Sequence, residues 1–298
     1  MNASRPAANP PNVQSYCQLF YISDSQQAQI EGLQALIVQH QLPIVLNTER
    51  LHDKLTQKRR QQLSQTVTLP ILVLDQKDKL SWLSDGLSVA PEWDKLQRRV
   101  VSAGRKSELL LQAAKATADS HVIDATAGFG HDSLILASTG AQVTMLEQQP
   151  LMALLLLVEQ QRMSAQPNWQ KLMSRLHIIN TDALSYFATL PADMTGATKA
   201  VDVVYLDPMF PEDSYQDSKT GKGAKVGKHM QALHQLASPP TLDEERQMLQ
   251  HAQAIVRQNS DKQGRVVVKR PQLAPALANQ PPNESWHNEA VRFDGYFV

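Results

Sequence analysis

Cysteine is almost absent from this sequence, and so is any excess of charge. Cys17 is the only cysteine among 298 residues, which excludes an intrachain disulfide and suits a reducing compartment. Lysine plus arginine and aspartate plus glutamate both number 29. No overall field therefore draws the protein to nucleic acid, and any such contact must come from local basic patches.

Long apolar runs and metal-ligand spacings are missing as well. The longest apolar run, 151–158, is too short to cross a bilayer, and the scattered histidines form no zinc-like cluster with cysteine. Residues 1–14 are polar and proline-rich, which predicts a disordered tail without the pattern of a signal peptide. We therefore expect a soluble cytoplasmic protein with no membrane segment and no metal.

The patterning predicts two domains. Residues 15–97 predict a small N-terminal α/β accessory domain, with strands at 17–22 and 43–46, a helix at 25–39 and a hairpin over 71–82. Residues 98–298 alternate between strand and helix patterns, which predicts a Rossmann-like, mostly parallel sheet. The expected strands of this sheet are 122–125, 142–147, 176–180, 201–207 and 265–269, with an antiparallel strand within 289–298.

A glycine turn follows the first strand of that sheet. Gly128 and Gly130 let the backbone turn sharply and approach a ligand before the next helix begins. The dinucleotide fingerprint would need glycine or alanine where Ser133 stands. Asp124, four residues before Gly128, instead gives the pattern Asp-x-x-x-Gly-x-Gly, which is that of enzymes dependent on S-adenosylmethionine (AdoMet).

Two more carboxylates follow the next two strands. Glu147 stands where a side chain can accept both ribose hydroxyls of an adenosine, a feature common to AdoMet and NAD sites. Asp182 stands where a carboxylate can accept the exocyclic amine of adenine, although an aspartate there also suits the N-cap of a helix. Both positions predict a nucleoside site at the carboxyl ends of the strands.

The segment Asp207-Pro-Met-Phe-Pro211 ends the fourth strand. It resembles the Asp/Asn-Pro-Pro-Phe/Tyr signature of methyltransferases that act on the exocyclic amine of a base or on an amide nitrogen. We expect Asp207 and the carbonyl of Pro208 to accept N–H groups of such an amine and to aim its lone pair at the methyl group. Phe210 would stack against the base.

Basic residues lie near these motifs in the sequence, although the net charge of the chain is zero. Arg105 and Lys106 precede the glycine turn, Lys269 and Arg270 end the fifth strand, and a glycine- and lysine-rich segment follows Pro211. Solvated linkers or contacts to RNA phosphates both fit this composition. The lysines of the last segment that would contact RNA are Lys222, Lys225 and Lys228.

From about Gly104 onward the chain resembles the RsmJ family, the small-subunit ribosomal RNA guanine-N2 methyltransferases. The resemblance is carried by residues 124–132, 145–147, 205–211, 266–271 and 292–294. It implies AdoMet contacts at seven positions. At two of them, His131 and Gln148, some relatives have arginine instead. The seven positions are His131, Asp132, Glu147, Gln148, Asp182, Ala183 and Asp207.

The resemblance implies an AdoMet-dependent enzyme that methylates the N2 amine of a guanosine in 16S ribosomal RNA, free or in the assembled small subunit. The residues alone leave two alternatives open. One is methylation of another amine or amide, such as a DNA adenine or a protein glutamine. The other is a nicotinamide-dependent oxidoreductase, which the serine at position 133 disfavours.

Overall fold

Two units make up the part of the chain that the computed structural model describes, which is residues 15–104, 106–190, 200–210, 238–257 and 263–298. The first unit ends at Ser88 and the second begins at Val89. The predicted tail, residues 1–14, lies outside the described residues.

The first unit contains a five-stranded mixed sheet and two helices. β1 pairs in parallel with β2 and β3, and β3 pairs antiparallel with β4 in the expected hairpin. The polar helix α2 and the short strand β5 were not expected, because neither has a clear apolar period. The elements are β1 (Ser15–Tyr21), α1 (Gln27–Gln39), β2 (Ile44–Arg50), α2 (Gln57–Thr66), β3 (Ile71–Leu74), β4 (Leu80–Ser84) and β5 (Leu87–Val89), in the sheet order β2-β1-β3-β4-β5.

The structure divides the chain nine residues before the predicted domain boundary. Trp93 is fully buried, its backbone N–H donates to Glu159 Oε1 at 2.8 Å, and its indole donates to the carbonyl of Phe129 at 2.7 Å. Both partners belong to the second unit. Trp93 therefore packs within the second unit, although the local composition had suggested the end of the first.

The second unit is built on a seven-stranded sheet in the order β11-β12-β10-β9-β6-β7-β8. Strands β6 to β10 pair in parallel. Its elements are α3 (Gln97–Ser102), α4 (Leu109–Ala114), β6 (His121–Asp124), α5 (His131–Ser138), β7 (Gln142–Glu147), α6 (Pro150–Ser164), α7 (Gln170–Met173), β8 (Leu176–Asn180), α8 (Ala183–Thr189), β9 (Val203–Leu206), α9 (Leu242–Arg257), β10 (Arg265–Pro271), β11 (Glu284–His287) and β12 (Val291–Phe297).

The central strands are apolar on both faces. Val122, Ile123, Val204 and Val267 are all less than 1% exposed, which is typical of parallel strands covered by helices on both sides. β6 has β7 on one side and β9 on the other. The strand order reverses between β6 and β9, so ligands are expected in the crevice at their carboxyl ends.

The chain ends in an antiparallel hairpin at one edge of the sheet. β12 pairs antiparallel with β10 and with β11. The predicted C-terminal antiparallel strand is therefore confirmed. β11 was not expected, because most of its residues are polar and exposed. The predicted α/β class with a mostly parallel Rossmann-like sheet is confirmed as well.

The longest described helices are α6, with 15 residues, and α9, with 16 residues. α6 is rich in leucine and lies mostly buried against the sheet, whereas α9 carries three acidic residues in its first turn. In the described ranges, no helix is both long enough and apolar enough to cross a membrane.

Candidate active site

A cavity of about 680 Å³ lies at the carboxyl ends of the central strands. Four of the carboxylates that line it lie at or just after the ends of four adjacent strands. The parallel arrangement brings these strand ends together at one edge of the sheet. Asp124 and Glu147 end β6 and β7, whereas Asp182 and Asp207 follow β8 and β9.

The glycine turn wraps one wall of the cavity. Gly128 and Gly130 have φ angles of 53° and 73°, a region that favours glycine. A Cβ at Gly130 would lie 2.8 Å from Met145 Cε and 2.9 Å from Trp93 Cζ2. Glycine is thus required at position 130 both by the backbone and by the packing beneath the turn.

Asp124 supports this turn from below. It is 1% exposed, its Oδ2 accepts a hydrogen bond from Ser133 Oγ, and its Oδ1 accepts one from the backbone N–H of Thr126. Burial raises the pKa of Asp124 to about 7, with further effect from the nearby Asp132 and Asp207. These contacts fix the shape of the glycine turn. Ser133, the residue that departs from the dinucleotide fingerprint, is the hydrogen-bond donor to Asp124 Oδ2.

Glu147 joins the glycine turn to the start of α6. Its Oε2 accepts the N–H of Gly128 at 2.9 Å, and its Oε1 accepts the N–H of Gln149 at 2.7 Å. Burial raises its pKa to about 7, although both backbone hydrogen bonds oppose this shift. A carboxylate has about four acceptor positions, so the two used here leave capacity for two hydroxyl donors of a ligand.

The predicted adenine-binding pair lies after β8. Asp182 Oδ1 accepts the N–H of Ser185 at 2.9 Å, so this residue is the N-cap of α8, as the simpler interpretation of the sequence proposed. The cap leaves Oδ2 for a ligand amine. Ala183 is buried, Gln148 is exposed, and all three residues line the cavity.

His131 begins α5 at the far side of the glycine turn. Its Nε2 donates to the carbonyl of Pro91 at 2.8 Å, and its ring stacks on Phe129 with centroids 6.2 Å apart. Burial lowers the pKa of this imidazole. His131 thus lines the cavity while fastening the helix N-terminus to the segment that carries Trp93.

Asp132, Lys269 and Asp207 form a charged cluster in the cavity. Lys269 Nζ lies 2.8 Å from Asp132 Oδ2 and 2.8 Å from Asp207 Oδ2, and the Tyr205 hydroxyl donates to Asp132 Oδ2 at 2.7 Å. Contact of Lys269 with RNA phosphates stays a prediction. Its side chain follows the cavity face of β10, where two carboxylates bind it.

Arg270 and Phe210, two further residues of the prediction, pack against each other. Arg270 is 4% exposed, and it donates to Pro275 O at 2.9 Å and to Glu245 Oε1 at 3.1 Å. Its guanidinium lies 4.2 Å from the ring centre of Phe210, which is itself 4% exposed. Both side chains are therefore buried against each other. Contact of Arg270 with RNA phosphates and stacking of Phe210 on a base stay predictions.

Of the remaining basic residues of the prediction, only one belongs to the described part of the chain. Lys106 is described and exposed. Arg105, Lys222, Lys225 and Lys228 lie outside the described residues. Contact of all five with RNA stays a prediction.

Three site residues were missed from the sequence. Thr126 Oγ1 accepts the N–H of Asp207 at 2.6 Å and so ties the glycine turn to the Asp-Pro turn. Tyr205 binds Asp132, and Trp93 lies under Gly130. Tyr205 could have been found, because a tyrosine two residues before a strand-ending aspartate lies on the same face as that aspartate. Trp93 carried no such signal, because its partners are 36 and 66 residues away.

The polar and apolar groups of the cavity fit AdoMet. Glu147 has acceptor positions left for the ribose hydroxyls, and Asp182 Oδ2 can accept a hydrogen bond from the adenine amine. Buried Ala183 gives the apolar contact that an adenine ring needs. The positive φ of Gly128 brings the backbone close to the cavity with no Cβ in the way.

Known proteins with related sequences point to the same family. Residues 48–298 match the family described as "Putative SAM-dependent methyltransferase", SAM being AdoMet. The chain is 79% identical to ribosomal RNA small subunit methyltransferase J of Psychrobacter cryohalolentis, over 95% of this chain and 96% of that protein. It is 76% identical to the protein of the same name from Psychrobacter arcticus, over 98% of this chain and 99% of the relative.

A solved structure supports the fold. The SAM-dependent methyltransferase from Neisseria gonorrhoeae superposes with a TM-score of 0.63 at 27% identity, covering 94% of this chain and 95% of that one. The nicotinamide-dependent alternative is not supported by these relatives. The chain belongs to the SAM-dependent methyltransferases, in the family of ribosomal RNA small subunit methyltransferase J, and its cofactor is AdoMet.

Proposed function

We propose that this protein transfers the methyl group of AdoMet to the exocyclic N2 amine of a guanosine in the 16S RNA of the small ribosomal subunit. The observation that carries the proposal is the 79% identity over nearly the whole chain to a protein named for small-subunit ribosomal RNA methylation. The choice of guanine N2 rests on the sequence resemblance and on the amine-type turn at Asp207.

Asp207 and Pro208 are the proposed acceptor-binding groups. Asp207 lines the cavity with its side chain 27% exposed, and its backbone is fixed by Thr126. A guanine amine is a poor nucleophile, because its lone pair is delocalised into the ring. A carboxylate and a carbonyl that accept its two N–H bonds aim that lone pair and make it more available.

When bound, AdoMet would supply an electrophilic methyl group from its sulfonium to the guanine nitrogen. The amine then gives up one proton, so that a neutral methylamino group remains. Asp207 is the nearest proposed acceptor for this proton, which passes on to solvent. Because the sulfonium is already reactive, positioning by the protein supplies most of the acceleration.

The other cavity carboxylates would bind the cofactor. Glu147 would accept from the ribose hydroxyls, Asp182 would accept from the adenine amine, and Asp124 would hold the glycine turn in shape. Gln148, Ala183, His131 and Asp132 complete the set of cofactor contacts that the family resemblance implies. The proposal also implies a cytoplasmic site of action, where small subunits are assembled.

The proposed function is tested with RNA that lacks the modification. Small-subunit RNA and assembled subunits, from cells without this enzyme, would be incubated with the protein and with AdoMet carrying a labelled methyl group. We expect labelled N2-methylguanosine after digestion to nucleosides, and no label in RNA that already carries the modification. Label in DNA, in protein or on adenine would refute the guanine assignment and favour the other amine methyltransferases.

A further inference from the structure

The ammonium of Lys269 joins two carboxylates in the cavity wall. It reaches Asp132 Oδ2 and Asp207 Oδ2 at 2.8 Å each, and its side chain is 29% exposed. Asp132 comes from the start of α5, and Asp207 comes from the turn after β9. Lys269 lies in β10, so one side chain connects three separate elements at the reaction site.

The cluster has one ammonium for two carboxylates, and the two carboxylates are held unequally. Asp132 Oδ2 receives both Lys269 and the Tyr205 hydroxyl, whereas Lys269 is the only side chain among the described residues that donates to Asp207. Burial works against ionisation at both sites, yet Lys269 keeps the pKa of Asp132 low. The pKa of Asp207 is raised by burial and by the negative charge of Asp132, with Lys269 opposing.

The wider surroundings contribute both signs of charge. Asp124, from β6, adds negative charge near Tyr205, and Arg270, from β10, adds positive charge near Asp207. Arg99, from α3, adds positive charge near Asp132 while its fork is bound to Glu108 at 2.8 Å. Among the described residues, Lys269 is the cation that contacts Asp207.

We propose that Lys269 is a positioning residue for methyl transfer, which fixes one oxygen of Asp207 and keeps that carboxylate ionised to accept an N–H of the acceptor amine. This inference rests on the proposed function of Asp207. It assigns a role to the Lys-Arg-Pro segment that ends β10, where the sequence suggested only added positive charge. Asp132 and Tyr205 act one step further away, because they hold the ammonium in place.

The first test compares Lys269→Met with Lys171→Met, an exposed lysine on α7 that serves as a matched control. With saturating RNA, Lys269→Met should lower kcat at pH 7 about 100-fold, the loss typical of a misplaced reacting group. The acid limb of its pH–rate profile should move up by about one to three pH units, because an opposite charge at contact distance is removed. The control should match the wild type in both readouts.

A phosphate-binding role would give a different result. Affinity for the RNA would then fall, the salt dependence of binding would weaken by about one ion, and kcat at saturation would stay within twofold of the wild type. That combination would overturn the proposal. Lys269→Arg keeps the positive charge but replaces the ammonium with a planar guanidinium. It should retain the acid limb of the wild-type pH–rate profile even if kcat falls.

A second readout needs neither RNA nor turnover. Carbon-13 NMR of labelled aspartates in the ligand-free protein, with Asp207→Asn for assignment, follows the titration of Asp207 directly. Lys269→Met should raise that pKa, whereas an unchanged titration would refute the inference. A wild-type enzyme that makes no N2-methylguanosine would refute the proposed function instead, and the titration would still decide the role of Lys269.

Loss of the lysine leaves two carboxylates facing each other and could unfold the site. The double variant Asp132→Asn with Lys269→Met restores the net charge of the cluster. Its melting temperature should therefore lie closer to that of the wild type than the melting temperature of Lys269→Met does. If the double variant recovers full kcat, Lys269 contributes only charge balance and the positioning role is wrong.

Discussion

The indole Nε1 of Trp93 donates a hydrogen bond to the carbonyl oxygen of Phe129 at 2.7 Å. Phe129 lies between the two glycines of the turn that lines the cavity, and Trp93 is fully buried beneath Gly130. A residue far from the strand-end motifs thus fixes the backbone that faces the cofactor. The same tryptophan is anchored by Glu159 of α6 through its own N–H.

Trp93→Phe should weaken AdoMet binding about fivefold. The change keeps an aromatic ring under the turn but removes a hydrogen bond whose net worth is about 1 kcal/mol, so the turn is held less firmly. Calorimetric titration with AdoMet measures the effect. Trp169→Phe is the control, because Trp169 is buried in the same unit and, like Trp93, is not part of the cavity lining. Equal losses of affinity in the two variants would contradict a specific role for Trp93.

Gly130→Ala should destabilise the protein by about 1–3 kcal/mol, because the added methyl group meets Met145 and Trp93 in a packed core. The positive φ adds strain for any residue with a Cβ. Gly32→Ala is the matched control, because nothing lies within 4 Å of its new methyl group in the middle of α1. The control should gain about 0.5–1 kcal/mol. Denaturant unfolding of both variants gives the comparison, and equal effects would contradict the packing argument.

The ligand-free protein should lose stability as the pH rises from about 5 to 7. The pKa of Glu147 is 4.5 for the free side chain and about 7 in the fold, because the ionised carboxylate is buried. Between these values the unfolded chain has lost the proton that the folded chain still holds, so folding becomes less favourable with rising pH. The contribution is complete above pH 7, where both states are ionised.

Glu147→Gln should flatten this pH dependence, as measured by thermal unfolding at several pH values. Asp124, whose pKa burial also raises to about 7, accounts for the slope that remains. Asp182→Asn is a useful comparison, because Asp182 lies at the cavity but caps a helix in a more exposed position. A slope in Glu147→Gln equal to that of the wild type would show that Glu147 is ionised throughout the range.

Phe210→Leu should lower the melting temperature while leaving turnover within about tenfold of the wild type. The ring is buried against Arg270, and loss of that contact costs about 1–2 kcal/mol at a desolvated site. Methylation of RNA and thermal unfolding would be measured on the same preparation. A 100-fold loss of turnover with an unchanged melting temperature would instead support the base-stacking role predicted from the sequence.

Asp207→Ala should remove most turnover, roughly 100- to 1000-fold, as loss of one preorganised polar group at a reacting centre does. AdoMet affinity should fall less, because Asp207 is proposed to bind the acceptor amine. Single-turnover methylation and calorimetric titration separate the two effects. Asp207→Asn is the companion variant, since it keeps the shape of the side chain but not its charge. Equal losses in turnover and affinity would count against the acceptor-binding role.

The sequence by itself determined the fold class and the edge of the sheet that carries the cavity. Alternating strand and helix patterns predict parallel strands, and the carboxyl ends of such strands meet at one edge. A carboxylate at the end of a strand therefore belongs to the cavity wherever the strand lies in the order. Asp124, Glu147, Asp182 and Asp207 were found in this way, and the structure brings all four to one cavity.

Only the tertiary structure decided which partners the basic and aromatic residues near those ends contact. Lys269 and Arg270 are neighbours in the sequence and look like one positive patch, but consecutive residues of a strand point to opposite faces of the sheet. Lys269 thus meets Asp132 and Asp207 in the cavity, whereas Arg270 meets Glu245 and Phe210 on the other side. A charge pattern cannot tell a solvated cation from a paired one, because the partners come from elements that only folding brings together.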